Sequence, residues 1–328
     1  MSLFAKDSKE KNFILSDSFM TSSATNLVVL LGATATGKTR LAVEAARLLQ
    51  AEIISADSRQ VYRGMDLGTG KDLAEYEEIP YHLIDIVDPG YEFNVFEFQQ
   101  RFCQAFETIE QRGHLPLLCG GTGLYLDAVL GDYRLAQVPH NDALRQELEP
   151  LDDEQLRDRL VQLAPNQHND TDLQERERTI RAIEIASAPP AEPHPVLEKL
   201  QPLVFGLHWE RSVIRKRITA RLKQRLDEGM IDEVARLHEQ GTAWETLEFY
   251  GLEYRFIAQH LQGKLNRNDM VQKLNSAIHK FAKRQETWFR RMEKRGCTIH
   301  WLQGDQQPLA QMMEIISRDN ESPERDSR

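Results

Sequence analysis

The sequence predicts an α/β fold: a parallel sheet flanked by helices, with a helical insertion domain. Three observations predict it. Short apolar runs alternate with amphipathic helical ones over residues 26–133, a glycine-rich turn joins the first strand to the first helix, and a highly charged stretch without strand signal follows at 134–190. Alternation of this kind marks a parallel sheet covered on both faces, because a parallel pair needs a crossover, usually a helix. Ligands of such sheets lie at the carboxyl ends of the strands.

The first strand leads through "GATATGKT" into a helix, "RLAVEAARLLQ", with Leu41, Ala45 and either Leu48 or Leu49 on one face. "AEIISADS" and "PYHLIDIVDP" read as strands, "VFEFQQRFCQAFETIEQRG" as a helix, and "LPLLCGGTG" as the strand after it. Gly32–Thr39, Asp57–Gln60 and Gly120–Gly123 each follow a strand at its carboxyl end, so three polar clusters are expected to converge on one crevice. In the insertion, "DALRQELEPLDDEQLRDRLVQLAP" and "DLQERERTIRAIEIAS" are helical. A Pro-rich linker is expected at 191–200. "PLVFGLHW" then returns the chain to the sheet and opens a mostly helical second part of the core, 201–316, with a candidate last strand at "CTIHWL". Polar residues 1–25 and 317–328 are expected to be a disordered leader and tail.

The 328 residues suffice for one large domain or a domain with a sizeable insertion. A formal charge of −10 argues against coating nucleic acid by bulk charge and leaves room for a local basic groove. No run approaches the roughly 20 apolar residues of a membrane span, and the leader lacks the apolar core and cleavage site of a secretory signal. Cys103, Cys119 and Cys297 are widely spaced, which suits core positions in a reducing cytoplasm rather than a disulfide framework or a zinc site.

"GATATGKT" fits G-x-x-x-x-G-K-[ST], which makes the expected fold P-loop NTPase-like. Gly32 and Gly37 let the backbone N–H groups of Ala33, Thr34, Ala35 and Thr36 turn inward around phosphate oxygens, at the positive end of the helix. Lys38 adds a point charge, and the hydroxyl of Thr39 is of the type that ligates Mg²⁺. The motif selects polyphosphate, not ATP. A kinase or ATPase would want an acid ending a later strand, yet "LPLLCGG" ends in Gly120, Gly121 and Thr122. The acid that does follow a strand is Asp57, a placement also found where a kinase takes the proton of an acceptor hydroxyl. Spacing leaves a kinase and another transferase both open.

"GATATGKT", "ADSRQVYRGMDLGTGK", "HLIDIVDP", "LCGGTGLYL" and "RTIRAIEI" stand in the order found in the tRNA dimethylallyltransferases, also called tRNA isopentenyltransferases. With "RKRITARL", "EGMIDEV" and "KRQETWFRR", the chain resembles that family over nearly its whole length after the leader. The resemblance implies transfer of a dimethylallyl group from dimethylallyl diphosphate to the exocyclic N6 amine of the adenosine 3′-adjacent to the anticodon in tRNA. It implies Mg²⁺ and the tRNA anticodon stem-loop as partner; a monomer is expected. By the same resemblance, Arg217 and Arg221 clamp the diphosphate, Asp57 takes the proton of the attacking amine, and Thr122 supports the adenosine; Asp57, Thr122 and Arg217 form the catalytic set. Ser58, Arg59 and Gln60 join Asp57 and Thr122 as tRNA contacts. In the insertion, Arg145, Glu177, Arg178, Thr179, Ile180 and Arg181 match tRNA-contacting positions.

In "KFAKRQETWFRR", Lys280, Lys283, Arg284, Arg290 and Arg291 offer a basic face, while Phe281, Trp288 and Phe289 are expected in the core. One stretch departs from the family. Where members commonly carry a Cys-Val-Gly-Tyr-Arg-like turn, this chain reads "FYGLEYR", with Glu253 before Tyr254 and Arg255. "TGK" at Thr69–Lys71 replaces the usual Thr-Ala-Lys. Both changes are expected to bear on RNA contacts more than on phosphate chemistry. The carboxyl-terminal zinc finger of eukaryotic cytosolic or nuclear members has no counterpart, so the resemblance is to the bacterial type. The alternatives are an isopentenyltransferase acting on free AMP, ADP or ATP, a P-loop small-molecule kinase, and a non-catalytic RNA-binding descendant.

Overall fold

The computed structural model describes residues 25–131, 138, 140–164, 176–188 and 194–321. Nearly all of the expected leader, and the tail from residue 322, lie outside them. The described residues fall into two compact units, one within Gly131–Glu198 and the other from the rest of the chain.

The larger unit is built on six parallel strands in the order β3-β2-β4-β1-β5-β6. Strand β1 (Leu27–Gly32) is buried along its whole length, as its unbroken apolar run requires of a central parallel strand. Helix α1 (Lys38–Leu49) follows, burying Leu41, Ala45 and Leu49 while Leu48 stays 40% exposed, which settles the choice between the two leucines. Strand β2 (Ala51–Ala56) is fully buried. Strand β3 is only Tyr81–His82, although a longer one is expected from the sequence. Leu83 and Asp85 adopt left-handed φ of 63° and 55°, a conformation no strand can continue through. Helix α2 (Val95–Gln111), strand β4 (Leu115–Gly120) and helix α3 (Gly123–Leu130) complete the first half.

The smaller unit contains α4 (Asp142–Leu148), α5 (Asp153–Leu163), α6 (Arg176–Ser187) and α7 (Pro195–Glu198). Helix α5 opens on a capping box in which Asp152 accepts from Gln155 N and the Gln155 side chain accepts from Asp152 N. Leu148, Leu156, Leu160, Ile180 and Ile183 form its core. The short α7 occupies part of the stretch expected to be a linker.

The chain then re-enters the sheet as β5 (Pro202–His208) and continues through α8 (Arg211–Asp227), α9 (Met230–Glu239), α10 (Trp244–Phe249), α11 (Leu252–Leu261) and the long α12 (Arg267–Lys294). Strand β6 (His300–Gln303) confirms the expected last strand, and α13 (Pro308–Glu321) runs past residue 316, where a disordered tail was expected to begin. Met312 and Ile316 of α13 bury themselves in the core with Leu302, so packing holds a helix whose carboxyl-terminal residues are polar. Among the described residues, no helix is long and apolar enough to cross a membrane.

Candidate active site

Register decides where the chemistry sits. Ala56 pairs with Gly120, and Gly120 with Leu31, so β1, β2 and β4 end level. Beyond these ends opens a cavity of about 870 Å³ that Thr34, Lys38, Asp57, Thr122, Arg217 and Arg221 all border. The three expected clusters do converge.

One wall is the phosphate loop. Gly37, at φ 87°, makes the left-handed turn into α1. Thr34, Ala35, Gly37, Lys38 and Thr39 border the cavity. Ala33 and Thr36 border instead a smaller cavity of about 360 Å³ on the β5–β6 side, with Trp209 and Trp301. The loop is clamped from behind. Trp209 Nε1 donates to Thr36 O at 2.9 Å, and Arg217 Nε donates to Ala35 O at 2.8 Å with its guanidinium 4.6 Å from the Trp209 ring. From α12, the buried Gln285 accepts from Thr34 N at 2.9 Å and donates to Gly121 O at 2.8 Å, tying the loop to the end of β4. A cradle held at several points loses little order when it binds an anion, which is what preorganisation means here.

The cations of this wall are short of negative partners. Burial lowers the Lys38 ammonium below its ordinary pKa, Asp57 and Cys119 oppose that, and Arg221 and Arg225 add to it. Burial likewise lowers Arg217, with Arg221 repelling it. Burial and Arg221 lower Arg225, against the pull of Asp72. Each shift favours loss of positive charge, so a bound polyanion relieves all three. Asp72 is shared: Arg221 pairs with it at 2.8 Å and Arg225 at 3.3 Å.

On the same cavity, Asp57 Oδ1 accepts from the backbone N–H of Arg59 at 2.9 Å, and among the described residues no side chain hydrogen-bonds its carboxylate. Thr122 Oγ1 accepts from Ser58 N at 3.0 Å, locking the loop after β2 to the loop after β4. Gln60 borders the cavity, but its amide is engaged with Ser55 Oγ and Gly70 O.

The third wall is the segment Asp66–Asp72. Glu233 of α9, 3% exposed, accepts from the backbone N–H of Asp66 (3.0 Å), Leu67 (2.7 Å) and Gly68 (3.0 Å), and from Tyr254 Oη (2.6 Å). A Cβ at Gly68 would lie 2.5 Å from the Tyr254 ring, so only glycine admits that contact. Lys71, fully buried, donates to Tyr62 O, Asp66 and Asp85. "DLGTGK" and "FYGLEYR" thus fold as one packed unit.

Three expectations need correction. Glu253 borders the cavity, where Arg225 and Arg221 are its opposite charges and burial raises its carboxyl pKa, so its change bears on the cationic wall as well as on RNA contacts. Of the aromatics of α12, only Phe289 is in the core; Phe281 is 38% exposed, and both it and Trp288 border the cavity, because the helix turns that face toward its mouth. In the insertion, Thr179 and Ile180 point inward, Ile180 into the small core, so neither presents its side chain to RNA. Arg145 and Arg181 clasp the buried Glu184, and Arg145 also pairs with Glu177, while Arg178 is exposed.

The family model described as IPP transferase matches residues 60–292, and that described as isopentenyl transferase matches residues 25–79. The chain is 64% identical over 293 residues to tRNA dimethylallyltransferase 2 of Syntrophotalea carbinolica, covering 89% of this chain and 98% of the relative. The chain belongs to the tRNA dimethylallyltransferase family. Among solved structures, it is similar to the full-length tRNA isopentenylpyrophosphate transferase of Bacillus halodurans (TM-score 0.68, 31% identity, 91% and 97% coverage). It shares its fold with a eukaryotic dimethylallyltransferase acting on tRNA (TM-score 0.74, 23% identity, 90% and 79% coverage).

For a member of this family, sequence reasoning missed Arg225, Gln285 and Glu233. Arg225 carries a signal, lying at the same four-residue interval as Arg217 and Arg221 on α8 and so on one face. Gln285 and Glu233 carry none, since their partners are backbone groups distant in sequence.

Proposed function

We propose that the chain transfers the dimethylallyl group of dimethylallyl diphosphate to N6 of the adenosine 3′-adjacent to the anticodon in tRNA, as a cytoplasmic monomer. One observation carries the reading: a preorganised cradle of cations short of negative charge and an available carboxylate, Asp57, border the same cavity. Names carried by relatives at this identity support the tRNA acceptor over free nucleotides and over a kinase.

The cradle amides, Lys38, Arg217 and Arg221 hold the diphosphate and stabilise the charge that develops on it as the allylic carbon–oxygen bond breaks. Thr122 and its Ser58 partner set the position of the adenosine. The exocyclic nitrogen bonds to the allylic carbon, its proton passes to Asp57, and diphosphate departs. A neutral adenine amine is a weak nucleophile, so a carboxylate at this place lowers the barrier by general-base catalysis.

Thr39 Oγ1 and diphosphate oxygens suit Mg²⁺, which takes few protein ligands when phosphates supply the rest. Among the described residues, no group of three His, Cys, Asp or Glu could hold a metal. When bound, the ion neutralises charge on the leaving group.

A competition assay tests the acceptor. With labelled dimethylallyl diphosphate and equal amounts of tRNA and AMP, label is expected in tRNA. Label in AMP alone would overturn the reading.

A further inference from the structure

Single exposed apolar side chains are ordinary, whereas exposed aromatic rings gathered at one cavity mark a binding surface, and Phe249, at the end of α10, is 63% exposed. Phe281 on α12 is 38% exposed, and both border the mouth of the same cavity. Each has a guanidinium against its ring: Arg59 lies 5.5 Å from the Phe249 centroid and Arg284 5.7 Å from that of Phe281. Phe249 does not hang loose. It meets Tyr250 edge-on, and Tyr250 in turn packs on Tyr62 at 4.4 Å between centroids, so the ring stands at the end of an anchored aromatic row. Arg59 is equally placed, since its own N–H donates to Asp57 and its side chain lies beside Gly251.

We infer that Phe249 and Phe281 are stacking platforms for the two bases that flank the reactive adenosine, with Arg59 and Arg284 set to meet the adjoining phosphates. The inference rests on the proposed tRNA reading and adds the residues that seat the loop. A base extruded from a loop leaves its neighbours on either side without a stacking partner, and both phenylalanines face the mouth through which it must pass. Aromatic rings accept any base, so the platforms serve position rather than sequence, while arginine supplies the salt-dependent grip. Phe249 lies within cation–π reach of the residue two places after Asp57, so a base stacked there fixes its neighbour close to the proton acceptor.

The test uses the full-length protein with an anticodon stem-loop RNA, reading KM and Kd for the RNA and KM for dimethylallyl diphosphate. Phe249→Ala and Phe281→Ala are each expected to weaken RNA binding by roughly tenfold or more, the size of one lost base–aromatic stack. Donor KM and the slope of log Kd against log salt should stay as in the wild type. Phe249→Tyr is expected to restore binding, since it keeps the ring. Arg284→Met should instead flatten the salt slope by about one, as loss of a phosphate contact does. RNA affinity within twofold of wild type in both alanine variants would overturn the inference. So would a loss that tyrosine does not restore, which marks a folding role. Failure of the wild type to prenylate the RNA at all would instead sink the functional reading beneath it.

Discussion

At the scale of single residues, the site depends on one carboxylate and on the partners that aim it. Among the described residues, Asp57 accepts one hydrogen bond, from the backbone of Arg59, and borders the same cavity as the phosphate loop. Asp57→Ala is therefore expected to lower kcat by about two orders of magnitude or more while leaving the Kd for dimethylallyl diphosphate nearly unchanged, measured by single-turnover transfer and by calorimetry. Undiminished turnover would remove Asp57 as the proton acceptor. Asp57, Lys38, Thr122 and Arg217 were legible because a glycine motif and strand ends locate them. Gln285 was not, because a lone glutamine within a charged helix gives no sign that it reaches Thr34 and Gly121 across the fold. Phe281 was misassigned for a related reason. Helical periodicity marks an apolar face, but a cavity mouth and a core draw on the same residue types.

At the scale of elements, the Asp66–Asp72 segment owes its shape to Glu233. The carboxylate of Glu233 satisfies three consecutive backbone donors and the Tyr254 hydroxyl, and the segment in turn carries Asp72, which holds Arg221 and Arg225. Glu233→Ala leaves the buried Gly68 N–H and Tyr254 hydroxyl unsatisfied, at about 1–3 kcal/mol for each, and frees the part-buried N–H groups of Asp66 and Leu67 at a smaller cost. A lower melting temperature and a several-fold higher KM for dimethylallyl diphosphate are expected, with the KM for RNA less affected. An unchanged melting temperature would contradict this role.

The insertion carries its own electrostatic signature. Burial pushes Glu184 up, yet hydrogen bonds from Arg145, Asn141 and Arg181 outweigh it and hold the carboxyl at about 2, against an ordinary 4.5. A carboxyl depressed on folding stabilises the native state fully above its unfolded pKa and loses that contribution as pH falls toward the folded value. The insertion's stability, read by hydrogen exchange within α4 and α6, should therefore fall between about pH 5 and pH 2 in the wild type. Glu184→Gln should show a smaller fall across that window. Strand β3 is where the reading of elements stopped short, since nothing in "PYHLIDIVDP" announces left-handed backbone at Leu83 and Asp85. There Asp85 accepts a hydrogen bond from the buried ammonium of Lys71, fourteen residues away.

At the scale of the whole molecule, a chain of net charge −10 concentrates cations at one place. Lys38, Arg217, Arg221 and Arg225 meet beside the level ends of β1, β2 and β4, a position set by strand order. The parallel sheet and its insertion were legible from alternation and charge, because burial dictates both. How the sheet's far helices close the cavity was not, because Gln285, Glu233 and Phe249 act through tertiary contacts that leave no local pattern. In the proposed reaction the phosphate loop holds a leaving group rather than a group to be transferred. Dimethylallyl diphosphate labelled with radiocarbon in the hydrocarbon and radiophosphorus in the diphosphate tests it in one incubation with tRNA. Carbon label is expected in the tRNA, on the adenosine beside the anticodon, and phosphorus label only in free diphosphate. Phosphorus label in the RNA, or carbon label that never leaves the diphosphate while ATP is consumed, would contradict it.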